Sequence, residues 1–88
     1  MSIASKELRV IEYIRRWTAR QIVLFLLQHE SSNFKEIVQY TKKASSTVPW
    51  HLSRLREGRI ISVRMGRIQR YRLKNRDLVF KVMKKIES

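Results

Sequence analysis

Arginine and lysine are concentrated in the middle of this chain of 88 residues. The whole sequence holds 20 Lys and Arg against 7 Asp and Glu, which gives a net charge of +13 at pH 7. Eleven of the basic residues but only one acidic residue, Glu57, lie between positions 42 and 76. Guanidinium groups bind phosphate oxygens through paired hydrogen bonds, so this charge density predicts binding to a polyanion. Nucleic acid is favoured over an anionic membrane or an acidic protein.

Other kinds of chemistry have little support in the sequence. It has no Cys and only two His, which removes disulfides, thiolate nucleophiles and most metal sites. The carboxylates are dispersed, and no glycine-rich phosphate loop occurs. The longest apolar run, residues 22–27, is far shorter than the roughly 20 residues of a spanning helix, and the N-terminus lacks a signal-peptide core. We therefore expect a cytoplasmic protein that is not an enzyme and uses no metal, cofactor or membrane.

The residues before the basic segment predict two helices. Apolar side chains at intervals of three and four indicate an amphipathic helix over residues 5–17. Thr18 and Gln21 then have the spacing of a capping box, in which each side chain bonds a backbone N–H of the other's turn. This cap predicts a second helix that ends near Gln28.

The same capping pattern recurs at Asn33 and Glu36, which predicts a short third helix ending near Tyr40. At the other end of the chain, Asn75 is a predicted cap for a helix over residues 75–88.

The fourth predicted helix lies inside the basic segment, over residues 46–57. Ser45 or Ser46 can cap it, and Pro49 falls in its first turn, where a missing N–H costs little. Gly58 is the expected left-handed residue that ends it.

Beyond Gly58 the apolar period changes from 3.6 to 2, which predicts a β-hairpin over residues 60–73. Residues 65–67 form the expected loop, in which Gly66 permits a positive φ. The outer face of this hairpin is mostly arginine.

The sequence predicts three helices, the last of them capped and basic, followed at once by a basic hairpin. In this order of elements it resembles the winged helix-turn-helix family. The most specific stretch, residues 46–61 (STVPWHLSRLREGRII), is similar to the core of ArsR-type repressors and related archaeal regulators. The resemblance implies a mainly α fold with a two-stranded β wing (α+β), in one domain over residues 1–88: an N-terminal helix (1–17), a three-helix core (18–58), the wing and a C-terminal helix. Three departures are Pro49 in place of a small polar residue, a shortened Glu57-Gly58 junction, and the absence of metal-sensing cysteines, so metal sensing is not implied.

In that family the equivalent helix enters the major groove and the wing contacts the adjacent backbone or minor groove. On a helical wheel, Val48, Leu52 and Leu55 fall within about 60° of one another, so we expect them to face the core. Arg54, on the other side, is long enough to reach a guanine edge, and the hydroxyl-bearing helix N-terminus suits a phosphate. The predicted DNA contacts are Lys42, Lys43, Ser45, Ser46, Thr47, Trp50, Arg54, Arg64, Arg67 and Arg70.

Several of these assignments have a structural alternative. One alternative is that the basic residues are solvated surface charges that do not contact DNA. It applies to the wing arginines, to Lys42 and Lys43, and to Arg54. For Trp50, contact with a base and packing against the wing or a partner chain both stay open. His51 is interpreted as a structural imidazole rather than a ligand.

The first and last helices carry apolar faces that the helix-turn-helix unit does not need. Left exposed, they would form a large apolar patch. We therefore predict a homodimer, which would set two recognition helices about one helical turn of DNA apart, roughly 34 Å. The alternatives are that these helices cap the monomer core or that the chain is part of a larger regulator. The predicted interface residues are Leu8, Ile11, Ile14, Leu78, Val82 and Ile86.

The leading functional hypothesis is a regulator that binds double-stranded DNA with sequence preference. A winged-helix adaptor that binds proteins, with Trp50 and the flanking helices as hot spots, is the first alternative. Nonspecific binding of nucleic acid, which the net charge alone would support, is the second.

Overall fold

The structure is a computed structural model that describes residues 5–42 and 46–87. That part of the chain contains five helices and one small antiparallel sheet. The predicted DNA contacts Lys43 and Ser45 lie outside the described residues. The elements are α1 (Ser5–Tyr13), α2 (Trp17–Gln28), β1 (Ser32–Asn33), α3 (Phe34–Thr41), α4 (Val48–Glu57), β2 (Ile61–Arg64), β3 (Arg70–Leu73) and α5 (Arg76–Glu87).

The first helix is shorter than its apolar pattern predicts, and the cap expected for α2 does not form. After α1 ends at Tyr13, the Ile14 carbonyl accepts a hydrogen bond from Arg20 Nε at 3.3 Å. Arg16 is the N-cap residue of α2 and makes no side-chain cap. Thr18 therefore lies inside the first turn, where it is buried, and its predicted capping box with Gln21 is wrong.

The caps predicted for α3 and α5 are confirmed. Asn33 Oδ1 accepts the Glu36 N–H at 2.8 Å, and Glu36 Oε1 accepts the Asn33 N–H at 2.9 Å. Asn75 Oδ1 accepts the Leu78 N–H at 3.2 Å at the start of α5. Arg76 then donates to the carbonyl oxygen of Leu26 at 2.8 Å, so the first turn of α5 caps the last turn of α2.

The sheet has three strands in the order β1-β3-β2, one more than predicted. Ser32 pairs with Tyr71, and β1 is only two residues long, too short to show an alternating pattern. The hairpin of β2 and β3 is confirmed with shorter strands, since β3 begins at Arg70. Gly66, in the loop between them, does not adopt a positive φ, contrary to expectation.

The core lies between α2 and the elements packed around it, which are α3, α4 and β3. Val48, Leu52 and Leu55 are buried there, as the helical wheel predicts. Ile14 and Val82 are fully buried in the same core. Among the described residues, no helix has the length and apolar character needed to cross a membrane.

Both ends of α4 differ from the sequence-based expectation. Thr47, not Ser46, is the N-cap residue, and it makes no side-chain cap, although Pro49 does fall in the first turn. At the C-terminal end Gly58 has a φ of −78°, and Arg59 is the left-handed residue, with a φ of 60°. The glycine at position 58 is needed for space: a Cβ there would lie 2.6 Å from the ring of Tyr13.

Gly58→Ala should therefore lower the free energy of unfolding by about 1–3 kcal/mol, because the Tyr13 ring has to move off the end of α4. Chemical denaturation measures this. The matched control is Gly66→Ala, where the nearest atom to a new Cβ is 3.9 Å away, and it should change stability by less than about 0.5 kcal/mol. Equal effects of the two substitutions would contradict the close contact at Tyr13.

Candidate nucleic-acid interface

One side of α4 is open to solvent along its whole length. We call the exposed residues Ser46, Thr47, Trp50, Ser53, Arg54 and Glu57 the α4 face. The opposite side packs on α2 and β2, which fixes the rotation of the helix about its own axis. Trp50 is 48% exposed, so about half of its aromatic side chain is open to solvent in the middle of this face. Ser46 and Thr47, both predicted contacts, lie exposed at its N-terminal end.

Aromatic and guanidinium groups stack along the side of α4 that faces α1. The Arg54 guanidinium lies 5.3 Å from the ring centroid of Trp50 and 5.3 Å from that of Tyr13. Arg16, in the turn between α1 and α2, also contacts Trp50, since its guanidinium lies 5.0 Å from the ring centroid. Cation–π attraction of this kind contributes about 0.5–1 kcal/mol at exposed sites. Arg54 therefore lies beside the rings of Trp50 and Tyr13, and its predicted contact with a guanine edge stays a prediction.

The strand arginines of the wing lie on the face of the sheet that points away from the helices. Arg64 is paired with Arg70, and paired residues of antiparallel strands share a face. Tyr71, on the opposite face, is buried toward the core. Arg67 lies in the exposed loop at the tip of the hairpin, between Met65 and Ile68, which are 70% and 61% exposed.

Arg70 differs from the other predicted wing contacts because some of its donors already have partners within the protein. Its Nε donates to Ser31 Oγ at 2.9 Å and its Nη2 to the Ser31 carbonyl oxygen at 3.2 Å. Its guanidinium also lies 4.0 Å from Glu36 Oε1. Arg70 thus ties β3 to the loop before α3, and its predicted contact with DNA stays a prediction.

The Glu36 carboxylate is the acceptor of this small network. Hydrogen bonding to the Asn33 N–H, above all, lowers the pKa of Glu36 below its ordinary value of 4.5. Desolvation opposes this effect and raises the pKa, whereas the Ser32 hydroxyl and electrostatic attraction to Arg70 and His29 lower it further.

Two other predicted residues lie where the sequence suggested. Lys42 is exposed at the C-terminal end of α3, in a left-handed conformation with a φ of 57°. His51 is 7% exposed, and its ring meets the edge of Trp50 at a centroid distance of 5.0 Å, so it supports the α4 face from beneath.

Sequence reasoning missed basic residues that flank the α4 face. Arg56, with Gln69 of the wing, lines a groove between α4 and the sheet, and Arg16 lines the other side of α4. The helical wheel gave only a weak signal for Arg56, because it places this residue between Leu52 of the buried side and Ser53 of the exposed side. Nothing in the local pattern connects Arg16 with Trp50, since their contact depends on the turn between α1 and α2.

The six residues predicted for a subunit interface divide into three groups. Leu8 and Ile86 are exposed, at 51% and 36%. Ile11 and Leu78 are half-buried. Ile14 and Val82 are fully buried in this chain's own core, so their assignment to an interface is wrong. Phe80, which was not predicted, is 54% exposed.

The helices that carry these apolar residues, α1 and α5, pack against each other. Lys85 Nζ lies 2.7 Å from Glu7 Oε2, and this ion pair joins the two helices. Across residues 5–42 and 46–87, no three His, Asp or Glu side chains gather closely enough to hold a metal ion.

Comparison with known proteins identifies relatives of this fold. The family model described as bacterial regulatory protein, arsR family, matches residues 18–63, just over half of the chain. No curated protein sequence matches.

Among solved structures, HlyU from Vibrio cholerae N16961 has a TM-score of 0.80 at 17% identity, covering 94% of this chain and 90% of its own. The transcriptional repressor BigR from Xylella fastidiosa has a TM-score of 0.78 at 19% identity, covering 88% and 79%. The homodimeric winged helix-turn-helix DNA-binding domain of Mb0332 from Mycobacterium bovis has a TM-score of 0.77 at 21% identity, covering 92% and 75%.

The network at Glu36 generates a pH-dependent prediction. Because the pKa of Glu36 is lowered in the folded state, its ionised form stabilises the fold at neutral pH, and that contribution is lost as the pH falls below about 4.5. Glu36→Gln should therefore be less stable than the unsubstituted protein at pH 7, and the difference should shrink in acid. Urea unfolding at several pH values measures it. Glu57→Gln removes the same charge from an exposed site, and a matching pH-dependent loss there would contradict the assignment to Glu36.

Proposed function

Because the chain belongs to the ArsR family of bacterial regulatory proteins, we propose that it regulates transcription by binding double-stranded DNA as a homodimer. In this proposal α4 enters the major groove and the wing contacts the neighbouring backbone or minor groove. Binding acts by occupancy, since a protein seated near a promoter blocks or recruits the transcription machinery. The observation that carries the proposal is the α4 face: a solvent-exposed helix side with an aromatic residue at its centre and arginines at its edges.

Affinity in such a complex comes mainly from phosphate contacts. The net charge of +13 and the concentration of that charge around α4 and the wing supply them. Arg67 at the tip of the wing and Arg64 at the end of β2 are both exposed and suit contacts with the backbone. Thr47 is the N-cap residue of α4 and makes no side-chain cap, which leaves the N–H groups of the first turn, except at Pro49, for a phosphate.

Sequence preference in this proposal comes from the middle of the α4 face. The exposed part of the Trp50 side chain offers apolar surface to a thymine methyl group, and the Ser53 hydroxyl offers both a donor and an acceptor to base edges. His51 beneath the indole limits the orientations that Trp50 adopts. Few groups of the α4 face are suited to reading bases, so we expect each half-site to be short.

The homodimer is proposed to form through α1 and α5. Leu8, Phe80 and Ile86 leave apolar surface exposed on these two helices, which burial against a second copy would remove from water. The solved domain of Mb0332, which has the same fold, is homodimeric. A two-fold dimer presents two α4 faces to successive major grooves, about 34 Å apart along one side of the duplex.

DNA binding should depend steeply on salt. A dimer that neutralises on the order of 6–10 phosphates should give a plot of log affinity against log salt concentration with a slope of similar magnitude. Titration of a fluorescent duplex at several salt concentrations measures this slope. A slope near zero would contradict the proposed function.

Leu8→Asp should dissociate the dimer, because it places a carboxylate in the apolar contact between subunits. Sedimentation equilibrium should then report a monomer. The matched control is Ile68→Asp, which makes the same kind of change at an exposed apolar residue on the wing, 61% exposed, and should leave the dimer intact. An unchanged dimer in Leu8→Asp would place the interface elsewhere.

A further inference from the structure

A recess of about 310 Å³ lies between the turn that joins α1 to α2 and the side of α4. Basic side chains dominate its lining, with one carboxylate among them. The residues that line it, together with Ala19, are Glu12, Tyr13, Arg15, Arg16, His51 and Arg54. Three guanidinium groups against one carboxylate give the recess a net positive charge.

The guanidinium groups of Arg16 and Arg54 make cation–π contacts. Each lies over an aromatic ring, Arg16 over Trp50 and Arg54 over both Trp50 and Tyr13, at 5.0–5.3 Å from the ring centroids. A cation–π contact does not require the guanidinium N–H donors to be paired with an acceptor. Within residues 5–42 and 46–87, neither guanidinium group has a hydrogen bond or an ion pair with another side chain or with the backbone. Their donors therefore point to a ligand or to water.

The first turn of α2 borders the same recess. Arg16 is its N-cap residue and provides no side-chain cap, and Ala19, three positions later, lines the recess. The N–H groups of that turn therefore lack the side-chain oxygen that usually accepts from a helix N-terminus. An uncapped helix N-terminus and two preoriented guanidinium groups together form a binding site for an oxyanion.

We propose that this recess binds one phosphate of the DNA backbone, at the edge of the major groove that α4 occupies. Trp50 joins the two places, because its indole belongs to the α4 face and also carries both Arg16 and Arg54. A DNA strand that borders this groove would pass over the recess. The anion bound in the recess would then be a phosphodiester of that strand. This inference rests on the proposed function and adds a phosphate clamp formed by Arg16, Arg54 and the start of α2.

The clamp also links α1 to DNA contact. Tyr13 is the last residue of α1, and its ring packs against Gly58 while it carries Arg54. Helix α1, which is proposed to form the dimer interface, therefore positions Arg54, one of the residues proposed to bind the phosphate. Tyr13 acts in this arrangement as a positioning residue that sets the orientation of Arg54.

The first test is the salt dependence of duplex binding. Arg16→Ala should weaken binding to selected and random duplexes alike, roughly tenfold at low salt, and should lower the magnitude of the salt slope by about 0.9 for each protomer. Arg54→Ala should do the same. Lys81→Ala removes the same charge from an exposed position on α5 and should leave affinity and slope nearly unchanged. Circular dichroism checks that each variant folds.

The second test uses inorganic phosphate as the probe and needs no DNA. Phosphate should shift the NMR signals of the Arg16 and Arg54 side chains and of the Trp50 indole N–H in a saturable way, and Arg16→Ala should abolish the shift at Trp50. Tyr13→Leu, which keeps an apolar side chain but removes the ring, should weaken the phosphate response of Arg54.

The two tests separate failure of the clamp from failure of the proposed function. A flat salt slope in the unsubstituted protein overturns the proposed function and the clamp with it. A steep slope that Arg16→Ala leaves intact overturns the clamp alone, and if phosphate still shifts these signals, the recess takes a free anion instead of the duplex. A lowered slope together with a saturable phosphate response supports the clamp.

Discussion

The packing of α4 against the core is the constraint on which the rest of the structure depends. Val48, Leu52 and Leu55 are buried against α2 and β2, so the helix has one rotation in which its apolar side is covered. That rotation exposes Trp50, Ser53 and Arg54 together. At the C-terminal end of α4, the contact of Gly58 with the Tyr13 ring fixes α4 against α1 as well. The exposed surface of α4 is thus set by the packing of the fold.

Net charge predicts binding to polyanions but does not indicate which arginines would take part. Some guanidinium groups stabilise the fold: Arg20 caps the end of α1, Arg70 ties β3 to the loop before α3, and Arg76 caps α2. Others, such as Arg16 and Arg54, stack on aromatic rings with their donors unused by the described residues. The hydrogen-bond partners of each guanidinium group, which only the folded structure provides, distinguish these two roles.

Several features set by neighbouring residues could be predicted from the sequence, although the capping box expected at Thr18 does not form, and features set by distant residues could not. The capping box at Asn33, the burial of Leu52 and the hairpin follow from local spacing, and all three are confirmed. The pairing of Ser32 with Tyr71 joins residues far apart in the chain, so no local pattern indicates β1. The exposed face of α4 was predictable in the same local way, whereas the stack of Arg16 on Trp50 depends on how α1 and α2 meet.

Selection of bound sequences from a pool of random duplexes tests the central claim most directly, because it reports partner, specificity and symmetry in one experiment. If two α4 faces read DNA across a two-fold axis, the selected sequences should converge on an inverted repeat whose half-sites are centred about 10 base pairs apart. A pool that binds without converging on any sequence would contradict the account, since it would leave only nonspecific attraction between a basic protein and a polyanion.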